Sequence, residues 1–372
     1  MGEAAPLRIL HLTAGSDAGG ISRYLYNLCM AMHQSGHEVA VAGEPGEWHD
    51  LFQTAPWPWI DLPLKSGPLG LARAAATLRE WIAQHPVDVL HTHYRKATLV
   101  ARRLQRKLKL PILYTLHLSH IPLGWPWRWF TDFGDHVHVP SSNGRDWLVR
   151  HARVAAGRIT VIPHGIDPAR FPLPQVADRA KARSALELHA NDRAALFVGR
   201  LDNPKNEDWM LDLAAKQIPH LQIFIAGDGP HFQQLQNRIY GEGLSHRVKL
   251  LGHCDPLPLY HAGDALLLPS AREGFSYVCA EAMCTGLPVL RTRTSGTAEL
   301  IVEGVTGRSV PIDHRAFLDA AVDFLADEKA LRRMGTAAAH HVRQHLTFTR
   351  QFQQTIALYH RFAGRPCPKE ST

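Results

Sequence analysis

The sequence predicts an α/β protein built from two consecutive doubly wound domains, and three observations carry that reading. Short apolar runs of strand length alternate with helix-length amphipathic stretches, the alternation stops at a proline-rich segment and then restarts, and 372 residues exceed what one core holds at about 150 residues per domain. Residues 8–13 (RILHLT) read as a buried strand. A loop ending in Gly19-Gly20 follows, then a helix over about residues 21–34 that Gly36 terminates, then a strand at 38–42 (EVAVA). Further strands are expected at 87–91 (VDVLH), 112–116 (ILYTL), 136–139 and 160–162 (TVI), mostly separated by helical stretches. Alternation of this kind makes a parallel sheet covered on both faces.

Residues 161–174 (VIPHGIDPARFPLP) hold four prolines, which continue neither a helix nor a central strand, so the interdomain linker is placed there. Strands resume at 195–198, 222–226, 248–251, 265–268 and 288–290. The domains are set at 1–165 and 166–345, with a final segment at 346–372. Its helix, residues 348–362, carries Phe348, Phe352, Ile356, Tyr359 and Phe362 as one apolar stripe that must pack on something. Ligands of open parallel sheets sit beyond the carboxyl ends of the strands, so two such sheets facing each other would put a site in the cleft between them.

Composition narrows the class. A 20% charged content and 28 Gly are those of a globular protein, and no run approaches 18 consecutive apolar residues. The first residues lack a secretory pattern, and Cys29, Cys254, Cys279, Cys284 and Cys367 are odd in number with no CxxC. The expectation is a reduced, cytoplasmic enzyme without structural disulfides or a zinc knot. A net charge of +7, weighted toward the first domain, favours anionic partners without choosing among them.

Four loops follow strands and bear chemistry. AGSDAGGIS opens the first helix: Gly19 and Gly20 permit close backbone approach, and the helix start offers N–H groups to an anion, although a tight turn explains it too. It is neither a Walker loop nor GxGxxG. VGRLDNPKN places Arg200 and Lys205 where they could clamp a diphosphate, or simply be a solvated basic loop. AGDGP at 226–230 is a weak GxG. REGFSYVCAEAMCTGLPVL at 272–290 is the strongest stretch. Glu273 precedes a Gly274-Phe275-Ser276 turn that starts a helix, and Glu281 lies eight residues on, among Ala280, Ala282, Met283 and Cys284, which read as buried. A carboxylate there is costly unless it has a task, and carboxylates suit vicinal sugar hydroxyls.

These motifs, with SGHEVAVA, VDVLHTH, VIPHGID and AELIVEGVTG, occur in an order that resembles the retaining glycosyltransferases of family 4, with the two-domain GT-B fold. The resemblance spans nearly the whole chain. It implies transfer of a hexose from a nucleoside-diphosphate sugar to a glycan, lipid-linked or small acceptor in polysaccharide or cell-envelope synthesis, without a metal. Glu273 and Glu281 match the E-x7-E pair, the first beside the donor sugar and the second on the ribose. Arg200 and Lys205 match the pair that neutralises the diphosphate, Gly19 and Gly20 the loop approaching the phosphates, and His117 the histidine beside the transferred sugar. The final helix would cross back onto the first domain. Asn206 stands where many relatives have glycine, Cys284 where a small alanine is usual, and Ser295-Gly296 where Gly-Gly is frequent. A non-catalytic sugar-nucleotide-binding or membrane-scaffold protein of the same fold, or a nucleotide-sugar 2-epimerase-like enzyme, is the alternative.

For the acceptor side, His93 and Tyr94 in HTHY and Trp125 in IPLGWPWRWF are the candidates, although a structural role is favoured for His91 and His93. No metal site is expected, because no nearby Cys, Asp or Glu completes a ligand set. Residues 94–110 hold seven Lys/Arg and no acid, with Arg95, Arg102, Arg106 and Lys109 away from the apolar stripe. Peripheral docking to an anionic membrane is one reading, a surface helix packed on the sheet the preferred one. Nucleic acid ranks below both, for want of a binding motif.

Overall fold

The computed structural model describes residues 6–17, 19–125, 127–216 and 218–366. Ala18, Pro126 and Cys367, each named in or part of a segment read above, lie outside the described residues. The chain forms two compact units. One takes the chain up to His164 and again from Thr349, and the other spans Gly165–Phe348.

The first unit holds seven parallel strands: β1 (Arg8–Leu12), β2 (Glu38–Gly43), β3 (Trp59–Asp61), β4 (Val89–Thr92), β5 (Ile112–Thr115), β6 (His136–Val139) and β7 (Ile159–Val161), in the order β3-β2-β1-β4-β5-β6-β7. The second unit holds β8 (Arg193–Val198), β9 (Leu221–Ala226), β10 (Val248–Gly252), β11 (Ala265–Leu268), β12 (Val289–Thr292) and β13 (Gly307–Val310), in the order β10-β9-β8-β11-β12-β13. Both sheets are parallel throughout and reverse direction of growth at their first strand, β1 and β8. The loops after β1 and β8 therefore stand at topological switch points, where doubly wound sheets bind ligands. They are the Gly19-Gly20 loop and VGRLDNPKN.

Two strands were not foreseen, β3 and β13. Both are sheet edges of three or four residues. One follows Pro56 and Pro58, and the other is the polar run GRSV, so neither shows an apolar signature; short polar edges are how sheets avoid pairing with other chains. The strand expected at 87–91 begins at Val89 instead, because Asp88 is occupied as an acceptor for the Arg8 backbone N–H (2.9 Å) and for the guanidinium groups of Arg8 and Arg365 (both 2.8 Å).

The helix Gly20–Gln34 buries Tyr24, Leu25, Leu28, Cys29 and Met32 on one face. It ends as Gly36 predicts. Gly36 adopts φ 77°, its N–H reaches the His33 carbonyl, and the His37 N–H reaches Met32 (both 3.0 Å), the paired closure that a left-handed residue permits. The last helix, Phe348–Phe362, buries Ile356, Leu358 and Tyr359 but also Gln351, Thr355 and His360. Its buried face is thus partly polar, where the stripe reading expected an apolar one. Cys29, Cys254, Cys279 and Cys284 are free thiols.

Candidate functional site

In the second unit three loops interlock around the end of β8. After Val198 the chain turns through Gly199, whose N–H donates to Ala226 (3.0 Å), while the Leu201 N–H donates to Asp228 (2.9 Å). The two glycines of AGDGP make this approach possible. A Cβ on Gly227 would lie 1.8 Å from the Gly199 carbonyl oxygen, and one on Gly229 would lie 2.4 Å from that of Leu201. The GxG therefore serves loop-to-loop packing, not a dinucleotide.

Beyond Leu201 the loop is held at two more points. The Lys205 N–H donates to Asp202 (2.9 Å), and the Asn206 side-chain amide donates to Pro269 at the end of β11 (2.9 Å). Asn206 has φ 53°. Among side-chain-bearing residues Asn tolerates this left-handed region best, which accounts for its standing where glycine is frequent.

The tether delivers Lys205 to Glu273: Nζ lies 2.6 Å from Oε1, with the two side chains 23% and 10% exposed. Arg200 does not join them. Its guanidinium pairs with Asp202 (2.9 Å) and is more than half exposed, so the clamp expected of Arg200 and Lys205 together is instead two separate ion pairs.

Directly after Glu273 the chain forms the turn read from the sequence. Ser276 is the N-cap of the helix Tyr277–Cys284, its hydroxyl accepting the Cys279 N–H (3.3 Å), with Gly274, Phe275 and Ser276 all buried. A Cβ on Gly296 would sit 2.8 Å from the Gly274 carbonyl oxygen, so the RTRTSG loop after β12 presses on this turn. Glu281 is 2% exposed, and Tyr260 donates its hydroxyl to Oε2 (3.0 Å). The helix ends at Gly286, φ 82°, with Gly286 bonding Met283 and Leu287 bonding Ala282 (both 3.0 Å). Cys284 is buried in the core, and burial pushes its thiol up to about 11.

Sequence reading missed Tyr260 and Arg291. Arg291 is fully buried on β12 and donates to the Thr292 carbonyl (3.3 Å) and the Thr294 hydroxyl. Its signal was an arginine inside the apolar run PVLRT, and that of Tyr260 its position on the short helix before β11.

In the first unit Gly19, φ 156°, precedes the helix Gly20–Gln34, which has no side-chain cap and no acid in its first turn. Among the described residues no side chain caps its initial N–H groups. Alongside stands a cluster of buried histidines: His11 on β1, His91 and His93 at β4, His117 after β5, His138 on β6, and His164. Tyr24 packs among them, with ring centroids 5.0 Å from His117 and 4.7 Å from His164.

Two hydrogen-bonded chains order these rings. In one, the Ile162 carbonyl can only accept, so His138 Nε2 must carry the proton of their 2.9 Å bond. His138 Nδ1 then accepts from Thr115 (2.9 Å), Thr115 accepts from His91 Nε2 (2.6 Å), and His91 Nδ1 accepts from the Tyr359 hydroxyl (2.6 Å). The Tyr359 hydroxyl thereby ties the last helix to β4. In the other chain, His117 Nε2 meets His93 Nδ1 and His93 Nε2 meets His11 Nδ1, both at 3.1 Å.

Two placements here were not read from the sequence. His93, offered as an acceptor contact, is 2% exposed and bonded to two rings. A three-residue ligand set also exists, since His11, His91 and His93 bring one ring nitrogen each within 4.8 Å of the others. The sequence reading sought acids or cysteines nearby and did not see that β1 lies beside β4, with His11 opposite His91 in register.

Tyr94 is half-buried at the start of the helix Arg95–Leu108, and Trp125 is 85% exposed. The basic helix buries Ala97, Val100, Ala101 and Leu104 as expected. Two of its outward arginines are engaged, however. Arg102 forms a forked pair with Asp132 (2.7 and 2.8 Å) and reaches Asp135 (2.9 Å), while Arg95 lies 5.3 Å over the Trp127 ring and donates to Pro122 (2.9 Å).

Comparison with known proteins agrees with this architecture. HepE from Anabaena, solved in complex with UDP, superposes with a TM-score of 0.81 at 23% identity, covering 94% of this chain and 98% of that one. Sucrose-phosphate synthase from Thermosynechococcus elongatus superposes at 0.80 with 22% identity, over 96% and 99%. The fold is thus that of the GT-B glycosyltransferases. Residues 178–341 match the family model described as Glycosyl transferases group 1, and residues 18–170 match Glycosyltransferase Family 4. D-inositol 3-phosphate glycosyltransferase from Corynebacterium diphtheriae is 24% identical over 89% of this chain and 87% of its own length. The chain belongs to glycosyltransferase family 4 and is a glycosyltransferase.

Proposed function

We propose that the protein is a retaining, metal-independent hexosyltransferase that takes its sugar from a nucleoside diphosphate. The observation that supports it most is the Lys205–Glu273 pair, set beside the buried start of the helix Tyr277–Cys284 at a switch point. Lys205 would neutralise the diphosphate with Arg200 turning from Asp202 to assist. The N–H groups at Gly274, Phe275 and Ser276 would add the partial positive charge of a helix start. Glu281 would take the ribose hydroxyls and Glu273 would face the donor sugar; within the first unit, Gly19 and Gly20 would offer backbone N–H groups to an anion and His117 would bond a sugar oxygen. Fixed positive charge aimed at the leaving diphosphate stabilises the transition state without a metal. That HepE was solved with UDP and with UDP-glucose favours a uridine nucleotide among the candidates.

A panel of nucleoside diphosphates and their sugars, with and without EDTA, tests this by thermal shift. One base is expected to raise Tm, by about 2.7 kcal/mol of stabilisation at a hundredfold excess over Kd, equally in EDTA. No shift with any nucleotide would leave the non-catalytic scaffold as the better reading.

The acceptor side favours a lipid-linked glycan presented at an anionic membrane. Trp125, Trp127, Trp129 and Phe130 are 85, 52, 79 and 57% exposed, and Lys96, Arg103, Arg106, Lys107 and Lys109 are exposed on the neighbouring basic segment. No helix among the described residues is long and apolar enough to cross a membrane. Sedimentation with phosphatidylglycerol vesicles is expected to carry the protein down at low salt, and Trp125→Ala/Trp129→Ala to leave most of it in solution. Equal sedimentation of the two would remove this face from the account.

A further inference from the structure

We propose that His93 and His11 are positioning residues that hold His117 in its Nδ1–H tautomer, so that His117 presents a hydrogen-bond donor to a substrate oxygen. This rests on the role proposed above for His117. The three rings stand in series with two contacts, His117 Nε2 to His93 Nδ1 and His93 Nε2 to His11 Nδ1, each 3.1 Å. Each contact accommodates one proton, so the tautomers are locked together and only two arrangements exist.

The far end of the series decides between them. His11 Nε2 is buried and has no hydrogen-bond partner among the described residues. If protons sat on His117 Nε2 and His93 Nε2, His11 would have to keep its own on Nε2, leaving a buried N–H with nothing to receive it. Orphaned N–H groups are among the rarest features of folded proteins. In the other arrangement His11 donates from Nδ1 to His93, and His93 donates from Nδ1 to His117 Nε2. The orphan is then a bare lone pair beside the rings of His91 and Tyr359, 5.0 and 6.3 Å away between centroids. The single proton of His117 must in that case sit on Nδ1, which, unlike His11 Nε2, is not among the fully buried atoms left without a partner.

Burial holds His11 and His117 down to about 3 and His93 well below the ordinary histidine value, so near neutrality each ring carries one N–H and the counting holds. A donor at this place suits a sugar hydroxyl or phosphate oxygen. A protonated imidazolium or a bare nitrogen would present a different partner to the same group.

The test is a long-range 1H–15N spectrum of the 15N-histidine-labelled full chain, with His117 assigned from its disappearance in His117→Asn. The expected pattern is a protonated Nδ1 and a bare Nε2 on His117. In His93→Leu the lock is gone and the Nε2–H form becomes populated. In His93→Asn, whose amide replaces the Nδ1–H donor, the wild-type pattern returns. Loss of one neutral hydrogen bond to substrate corresponds to a fall in kcat/KM of about three- to tenfold in His93→Leu, recovered in His93→Asn. Nucleotide affinity, read by UDP titration, stays unchanged. A wild-type His117 carrying its proton on Nε2 would overturn the proposal, as would a His93→Leu protein with the wild-type tautomer. Should His93→Leu fail to fold, the wild-type spectrum alone decides. A failure to bind UDP with the expected tautomer present would count against the transferase reading and not against the lock.

Discussion

Replacing Lys205 by alanine is expected to lower kcat/KM for the nucleotide-sugar donor by about 10²- to 10³-fold, the ~2.7–4 kcal/mol typical of a lost electrostatic contact in a desolvated site. Nζ of Lys205 is fixed at 2.6 Å from Glu273 by a loop tied down at Asp202 and Pro269, so its charge is held in place before substrate arrives. With a nucleotide-sugar donor, charge would accumulate on the diphosphate as the glycosidic bond breaks, and the loss should fall mainly on kcat with a smaller rise in KM. Lys205→Arg should recover activity only in part, because a planar fork does not replace a compact ammonium beside Glu273. Glu273→Gln keeps the shape of the pair and removes its negative charge. It should leave nucleotide binding intact while lowering kcat. Initial rates of nucleoside diphosphate release measure all three. Wild-type kcat/KM in Lys205→Ala would mean that this pair is not part of the donor site.

The second large effect is acid lability of the first unit. Burial pushes His11 and His117 down to about 3 and His138 to about 4, and holds His91, His93 and His164 well below the ordinary value near 6.5. These rings stay neutral in the folded state, whereas the unfolded chain protonates them as pH drops through about 6.5. The unfolded state then binds more protons, so stability is fully present above 6.5 and lost below it, at about 1.4 kcal/mol per pH unit for each ring. Six rings amount to on the order of 8 kcal/mol at pH 5.5, comparable to the ~5–15 kcal/mol of a whole domain. Eight of the nine tryptophans precede His164, and only Trp209 belongs to the second unit, so intrinsic fluorescence isolates the transition. The urea midpoint should fall steeply between pH 7 and pH 5.5. A midpoint constant across that range would contradict the burial of the cluster.

Much of this was legible in the sequence, and what was not has physical reasons. Alternation of apolar runs revealed eleven strands, since buried parallel strands are continuous in Val, Ile, Leu and Ala. It failed at β3 and β13, edge strands without that signature. Motif spacing placed Lys205, Glu273, Ser276 and Glu281 on the loop and helix where they stand, because local sequence sets local structure. Which charge meets which was not written there. Arg200 turns to Asp202 two residues away, and Lys205 reaches Glu273 across 68. The histidine cluster was hidden for the same reason. HTH at β4 and HVH in β6 each put two histidines on alternate positions, β1 adds His11, and only the strand order brings them together. Equal spacing of histidines on strands expected to be neighbours was the available signal.

The most direct test of the central claim, that the Lys205–Glu273 loop holds a nucleoside diphosphate, is calorimetric titration of UDP into the wild-type protein and Lys205→Ala, both in EDTA. The account predicts one site per chain with unchanged affinity in the chelator, weakened at least tenfold by the substitution. Binding that requires a divalent cation, or that Lys205→Ala leaves as tight as before, would contradict it.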